Sequence, residues 1–245
     1  MPLAPADIRY IVRTTCLLES RSAQYGDYLH RVLPRRFSDR VTRWRREESV
    51  HGLRLHGWLQ RHDPDFSFED RMAVMATLPY HEDPERDRAP GDELLSRCVV
   101  EAFAAGFYRA LRDATDDPEL RQIAKDLMAD EARHFAGFMA MSEELPALSL
   151  PRKLAVIARR VQELDDDQIL FAAHCANHPD EPYVRRVSRR RYLGRVYGMY
   201  RPDHLRFVQA MLLRTLGRRP APWARAGMSH ALFAALQAKR VALAV

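Results

Sequence analysis

Two copies of Glu-x-x-His, Glu48 to His51 and Glu131 to His134, each set in a helical stripe of large apolar residues, constrain this chain more than any other feature. Residues three apart on an α-helix share a face about one turn apart, so each pair can grip one small object from one side. A single such pair would carry little weight, because 14 Glu and 10 His in 245 residues make about one expected by chance. The register carries more. Leu120, Ala124, Leu127, Glu131, His134, Phe138 and Met141 alternate spacings of four and three, and Trp44, Glu48, His51, Leu55 and Trp58 lie on one stripe in the same way. Both pairs therefore point into a core, where a carboxylate must be protonated, paired or metal-bound. A metal is the reading that explains both pairs at once.

Apolar residues recur at three- and four-residue spacing along the chain and no stretch alternates convincingly with period two, so the expected fold class is all-α. Helices are expected over 6–32, ending before Pro34, and over 38–62, with Ser38 as N-cap and Asp63-Pro64 as the stop. A long crossover, 63–90, holds one short helical piece over 68–78. The next helix spans 92–114, and Asp116-Asp117-Pro118 opens a further one that runs to 145. Later helices are expected over 152–177, 184–197, 203–216 and 224–242.

Two more carboxylates face inward. Glu19 follows Ile8, Val12 and Thr15, with Ser22 next on the stripe, and Glu101 lies among Leu94, Cys98, Ala105 and Tyr108. Glu19, Glu48, His51, Glu101, Glu131 and His134 then give one Glu from each of two helices and Glu-x-x-His from each of two others, the ligand pattern of a ferritin-like di-iron or di-manganese bundle. Four carboxylates balance the four charges of two divalent ions, so groups too costly to bury singly compensate one another. Zinc is disfavoured because its structural sites prefer four Cys or His ligands. The expected architecture is a single ferritin-like domain over 1–245, a metal-binding four-helix bundle over 6–145 with additional C-terminal helices over 146–245 packing on it.

Trp44-x-x-Glu47-Glu48-x-x-His51-Gly52 and Asp130-Glu131-x-x-His134 closely resemble the paired motifs of the soluble acyl-carrier-protein desaturases, and Glu19, six residues before Tyr25, matches that family's first-helix ligand. The resemblance covers roughly residues 8–145. It implies two iron ions (manganese being the alternative), electrons from a ferredoxin-type donor, O₂ activation, and removal of two hydrogens from an acyl chain held on an acyl carrier protein. The chain departs from the family in lacking its N-terminal extension and in placing Ala104, three residues after Glu101, where the family typically has a Thr near the O₂ site. With Ala104 bordering that site, Tyr108 and Ser22 are the nearest polar groups by register.

The expected function is thus an O₂-activating di-iron oxidoreductase, a desaturase or hydroxylase, acting on an acyl-type or related aliphatic substrate. An N-oxygenase of an amine or amino-acid-derived substrate is the alternative enzyme; families of that type add a His four residues before the last Glu-x-x-His, and here that position is Leu127. A non-catalytic ferritin-like metal-binding protein would be shorter. A helical interaction module with buried Glu–Arg pairs and no metal must explain six inward polar residues by coincidence.

The net charge of +6, carried mostly by Arg, admits an acidic partner or a plain compositional bias. Arg185, Arg186, Arg189, Arg190, Arg191 and Arg195 form the densest basic cluster. An acyl or peptidyl carrier protein, a ferredoxin-type donor and a second copy of the chain are the expected partners; neither nucleic acid nor membrane is. Cys16, Cys98 and Cys175 form no paired framework and read as core thiols, no run of 18 apolar residues occurs, and the N-terminus has no signal-peptide pattern, so a cytoplasmic protein is expected. His174 and His178, four apart, have no carboxylate recurring with them and read as ordinary histidines near a helix end.

Overall fold

The structure, a computed structural model, describes residues 3–77, 88–163 and 167–244. Its regular elements are helices, and no strand occurs among the described residues, so the fold is all-α. In chain order they are α1 (Pro5–Glu19), α2 (Ser22–Val32), a 3-10 turn (Arg35–Phe37), α3 (Ser38–His62), α4 (Phe68–Met75), α5 (Pro90–Ala114), α6 (Pro118–Glu143), α7 (Leu150–Gln162), α8 (Asp167–Asn177), α9 (Arg185–Met199), α10 (Pro202–Thr215) and α11 (Pro222–Ala244). No helix among the described residues is long and apolar enough to cross a membrane.

The helices group into two compact units, neither contiguous in sequence. One unit holds α1 to α4, α8 and the part of α9 up to Arg195. There α1 packs on α3 and α8, α2 on α3, and α4 on α8. Its core is built by Ile11, Val12, Leu17, Leu29, Phe37, Leu55 and Leu59, all almost fully buried, each large apolar side chain contributing about 1.5–3 kcal/mol. Polar contacts fix the helix ends. Arg13 grips Asp63, just past the end of α3, with its guanidinium fork (Nη2 to Oδ1 2.7 Å), and the Asn177 amide at the end of α8 donates to the Tyr10 carbonyl and to Thr14 Oγ1 of α1.

The expected helix over 6–32 is two helices. α1 ends at Glu19, where Ser20 N–H still bonds back to the Cys16 carbonyl but Arg21 N–H turns to Leu18 three residues back, tightening the chain before α2 begins. Ser20 Oγ also bonds the Cys16 carbonyl (2.8 Å), a local competitor that favours the break. Buried Arg21 anchors the turn by donating to the Met75 carbonyl. Ser38 is not an N-cap either. Its backbone is already helical, because the chain runs from Pro34 through the 3-10 turn directly into α3. The short helical piece ends at Met75 rather than 78; the crossover residues 78–87 lie outside the described residues.

The other unit holds α5, α6, α7, α10 and α11. α5 and α6, 25 and 26 residues long, form its hairpin. Their junction follows the expected pattern: Asp117 Oδ1 accepts the Leu120 N–H at 2.7 Å with Pro118 at the first turn. α10 crosses α5 closely enough that a Cβ on Gly106 would stand 2.2 Å from Val208 Cγ2. Arg152 of α7 pairs with buried Asp92 at the start of α5. The expected helix over 152–177 is likewise two, α7 and α8, and they belong to different units; residues 164–166 between them lie outside the described ones.

Candidate metal centre

Each unit carries one Glu-x-x-His pair joined by a second carboxylate. On α6 the buried positions are Leu120, Ala124, Leu127, Glu131, His134, Phe135, Phe138 and Met141, the expected stripe with Phe135 added. On α5 all five expected stripe residues, Leu94, Cys98, Glu101, Ala105 and Tyr108, are buried. The hairpin therefore brings Glu101 to the α6 pair: His134 Nδ1 lies 3.8 Å from Glu101 Oε2 and 3.5 Å from Glu131 Oε2. The three side chains are at most 4 % exposed, and their ligand atoms lie within 4.8 Å of one another.

The other triad is built alike. α3 buries Trp44, Glu48, His51, Leu55 and Trp58 as its register requires, with Val41, Gly52 and Leu59 beside them. α1 ends on Glu19, whose Oε2 lies 3.8 Å from His51 Nδ1. Glu19, Glu48 and His51 again offer ligand atoms within 4.8 Å of one another. Gly52, immediately after His51, lets α3 press against Ser20 at the end of α1.

The donor chemistry of both triads fits a divalent first-row ion. Carboxylate and imidazole suit iron and manganese, and the spacing suits a shared ion. Atoms bound at about 2.0–2.2 Å around a tetrahedral or more open angle stand roughly 3.4–3.8 Å apart, beyond the usual hydrogen-bond range of about 2.7–3.2 Å. The negative end of α1 carries a Glu with no basic residue in its last turn, a place where a cation is favourable. Either triad can thus hold a metal ion through one imidazole and two carboxylates.

No family model, curated protein or solved structure matches the chain.

Around the α5–α6 triad the sequence reading missed Arg97. Its guanidinium donates to Glu101 Oε1 and lies over the Phe138 ring, 5.6 Å from the centroid, and the residue is 6 % exposed. The signal was present as an Arg four residues before an inward Glu, but an i, i+4 pair ordinarily belongs to a solvated face. Tyr108 is buried at 1 % exposure and meets Phe107 edge-on; Ala104 is half-buried. Ser22 belongs to the residues whose side chains are not described.

His174, His178 and the three thiols lie outside the triads. His174 is buried and His178 reaches Glu181 through Nδ1 at 3.1 Å, while burial lowers the pKa of each. Cys16 and Cys98 are buried, and burial together with the charge of Glu19 or Glu101 pushes each thiol up to about 12. Cys175 is pushed up to about 11 by burial. These are protonated core thiols. Asp113, Asp203 and His204 form a third cluster within 4.8 Å, but Arg112 and Arg201 already bind Asp113 and Arg109 binds Asp203. Its charges are compensated without a metal.

Proposed function

We propose that the protein is a non-haem di-iron oxidoreductase in which each triad holds one iron, and that it uses O₂ to oxidise an acyl-type or related aliphatic substrate. The observation that carries this reading is the matching pair of triads, buried apart from the half-buried Glu19, each a Glu-x-x-His joined by a Glu from a neighbouring helix. The resemblance of the Glu48 and Glu131 motifs to the soluble acyl-carrier-protein desaturases supports the substrate class. Bound there, iron would supply the electron transfer that O₂ reduction needs; manganese is the alternative ion. Desaturation would remove two hydrogens while O₂ takes four electrons and four protons to give two waters, half of them from the substrate and half from a ferredoxin-type donor with solvent protons. Hydroxylation would place one oxygen atom in the substrate and release one water.

The chain's own contribution is burial and orientation. Apolar residues above and below each triad, Leu127 and Phe138 on α6, Trp44 and Leu55 on α3, keep water from the carboxylates and strengthen their hold on a cation. Ala104 offers no hydroxyl for proton delivery, which favours a more polar substrate or an oxygenated product over plain fatty-acyl desaturation. An acyl or peptidyl carrier would present the substrate, docking on the basic face of α9, where Arg186 and Arg190 are exposed.

The deciding experiment measures iron in protein purified from iron-replete cells, then reduces it and exposes it to O₂ with a panel of carrier-linked acyl chains. Two irons per chain, and a product two hydrogens lighter or one oxygen heavier, are expected. Fully active protein without a transition metal would end the reading, and inactive protein that takes up no metal would favour a metal-free helical module, which the buried Arg97–Glu101 pair supports.

A further inference from the structure

We propose that Arg97 is a positioning residue that reserves one oxygen of Glu101, so that Glu101 offers a metal a single oxygen and a coordination position stays open on the metal held by the α5–α6 triad. This rests on the di-iron reading and deepens it. Arg97 sits one turn before Glu101 on α5 and donates from Nη2 to Oε1 of that carboxylate, while Oε2, the other oxygen, is the one facing His134 Nδ1 at 3.8 Å. The two oxygens therefore have different neighbours: one a guanidinium, one the imidazole of the triad.

Arg97 is held in place from a second helix. Its guanidinium lies over the ring of Phe138, which follows His134 by one turn on α6 and is itself buried at 1 % exposure. A cation set over an aromatic face and fixed by a carboxylate has little freedom to swing away when an ion enters. Arg is suited to this because its charge persists at any working pH and its donors lie in a fixed fork. A Lys would give a mobile point charge.

Coordination number follows. A carboxylate free on both oxygens can chelate and fill two positions, whereas one whose second oxygen is bound to a guanidinium fills one. Catalytic metal sites differ from structural ones in keeping a position for a small ligand. By this arrangement α5 supplies, from two residues of its own sequence, both a ligand and the group that limits it.

The test uses cobalt(II), whose visible absorption is strong when four- or five-coordinate and weak when six-coordinate, and azide as the small anionic probe. Wild-type protein loaded with Co²⁺ should show the strong absorption and a further change on adding azide. Arg97→Met should retain the metal, lose most of the absorption intensity and bind azide at least tenfold more weakly, while Arg97→Lys falls between. Phe138→Leu, which removes the ring under the guanidinium and leaves both charges, should shift the spectrum part of the way. Spectra and azide affinity unchanged in Arg97→Met would overturn the role of Arg97 and leave the metal reading intact. If Arg97→Met does not fold, the wild type still decides, because a weak six-coordinate spectrum with no azide response overturns the proposal. Wild-type protein that binds no Co²⁺ overturns the metal reading and the proposal with it.

Discussion

Gly52 of α3 faces Ser20 so closely that a Cβ at residue 52 would stand 2.6 Å from Ser20 Oγ, 3.1 Å from the Ser20 backbone nitrogen and 3.3 Å from its Cα. The hydroxyl can rotate away, but the backbone of the α1–α2 turn cannot. This contact sets the distance between the helix that carries His51 and the helix end that carries Glu19. Gly52→Ala should lower stability by about 1 kcal/mol, an overpacking cost of roughly 1–3 kcal/mol offset by the gain of about 1 kcal/mol from replacing a mid-helix Gly. Metal should be lost from the Glu19–Glu48–His51 triad first. Urea unfolding and metal analysis check both; an unchanged midpoint with full metal content would show that the turn yields freely.

Ala104→Thr restores a hydroxyl one turn beyond Glu101 on α5. It should leave metal content unchanged and alter the ratio of hydrogen peroxide released to product formed, by twofold or more. Parallel assays of O₂ uptake, peroxide and product mass read this directly. If the ratio stays constant, residue 104 is remote from the chemistry.

His204 gives the molecule a predictable acid sensitivity. Arg201 N–H donates to His204 Nδ1 at 3.1 Å, so that nitrogen is unprotonated, and Nε2–H donates to Asp113 Oδ2 at 3.1 Å. The ring is fully buried, and burial lowers its pKa against the opposing pull of Asp113 and Asp203, with Arg201 adding to the lowering. Burial alone would raise Asp113, but Arg112 and His204 hydrogen bonds and the charges of Arg112 and Arg201 hold it well below the usual carboxylate range; Tyr200 stands edge-on to the ring. An unfolded His takes up its proton near pH 6.5 and the folded one only lower. Stability should therefore be complete above about pH 6.5 and fall as pH drops toward the folded value, with a slope of at most about 1.4 kcal/mol per pH unit from this residue. His174 and His178 act in the same direction, so the measurement is the difference in urea midpoint against pH between wild type and His204→Gln. Parallel curves from pH 7.5 to 5 would contradict the assignment.

On α9 the six arginines differ in what holds them. Arg185 pairs with Asp167, Arg191 with Glu181 and Arg195 with Asp7, whereas Arg186 and Arg190 stand exposed. Reversing the charge at Arg186 and Arg190 should weaken carrier-protein binding by tenfold or more and flatten its salt dependence, with little effect on stability. Titration calorimetry at two salt concentrations checks it; equal affinities would move the docking face elsewhere.

The stripes were readable because helical periodicity is a local property: Leu120 to Met141, Trp44 to Trp58 and Leu94 to Tyr108 face inward as their spacing requires. The break after Glu19 was not, since it depends on a Ser20 hydroxyl competing for a carbonyl and on an Arg21 anchor to Met75, 54 residues away. Ser38 failed as a cap for a similar reason, the chain having already begun to turn at Pro34. Arg97 was hidden because register shows which way Glu101 points and is silent on which of its oxygens a neighbour will claim.

The interleaving of the two units has a consequence for synthesis. α1 is closed over by α8, whose Asn177 bonds Tyr10 and Thr14 across more than 160 positions, and all of α5, α6 and α7 must leave the ribosome before α8 does. At about 5–20 residues per second, Tyr10 and Thr14 wait some 10–30 s for their partner on α8, while the α5–α6 hairpin can pair as soon as Glu143 emerges. The helices translated first are thus among the last to be sealed, and a chain arrested before Asn177 presents α1 with one side open to chaperones and proteases.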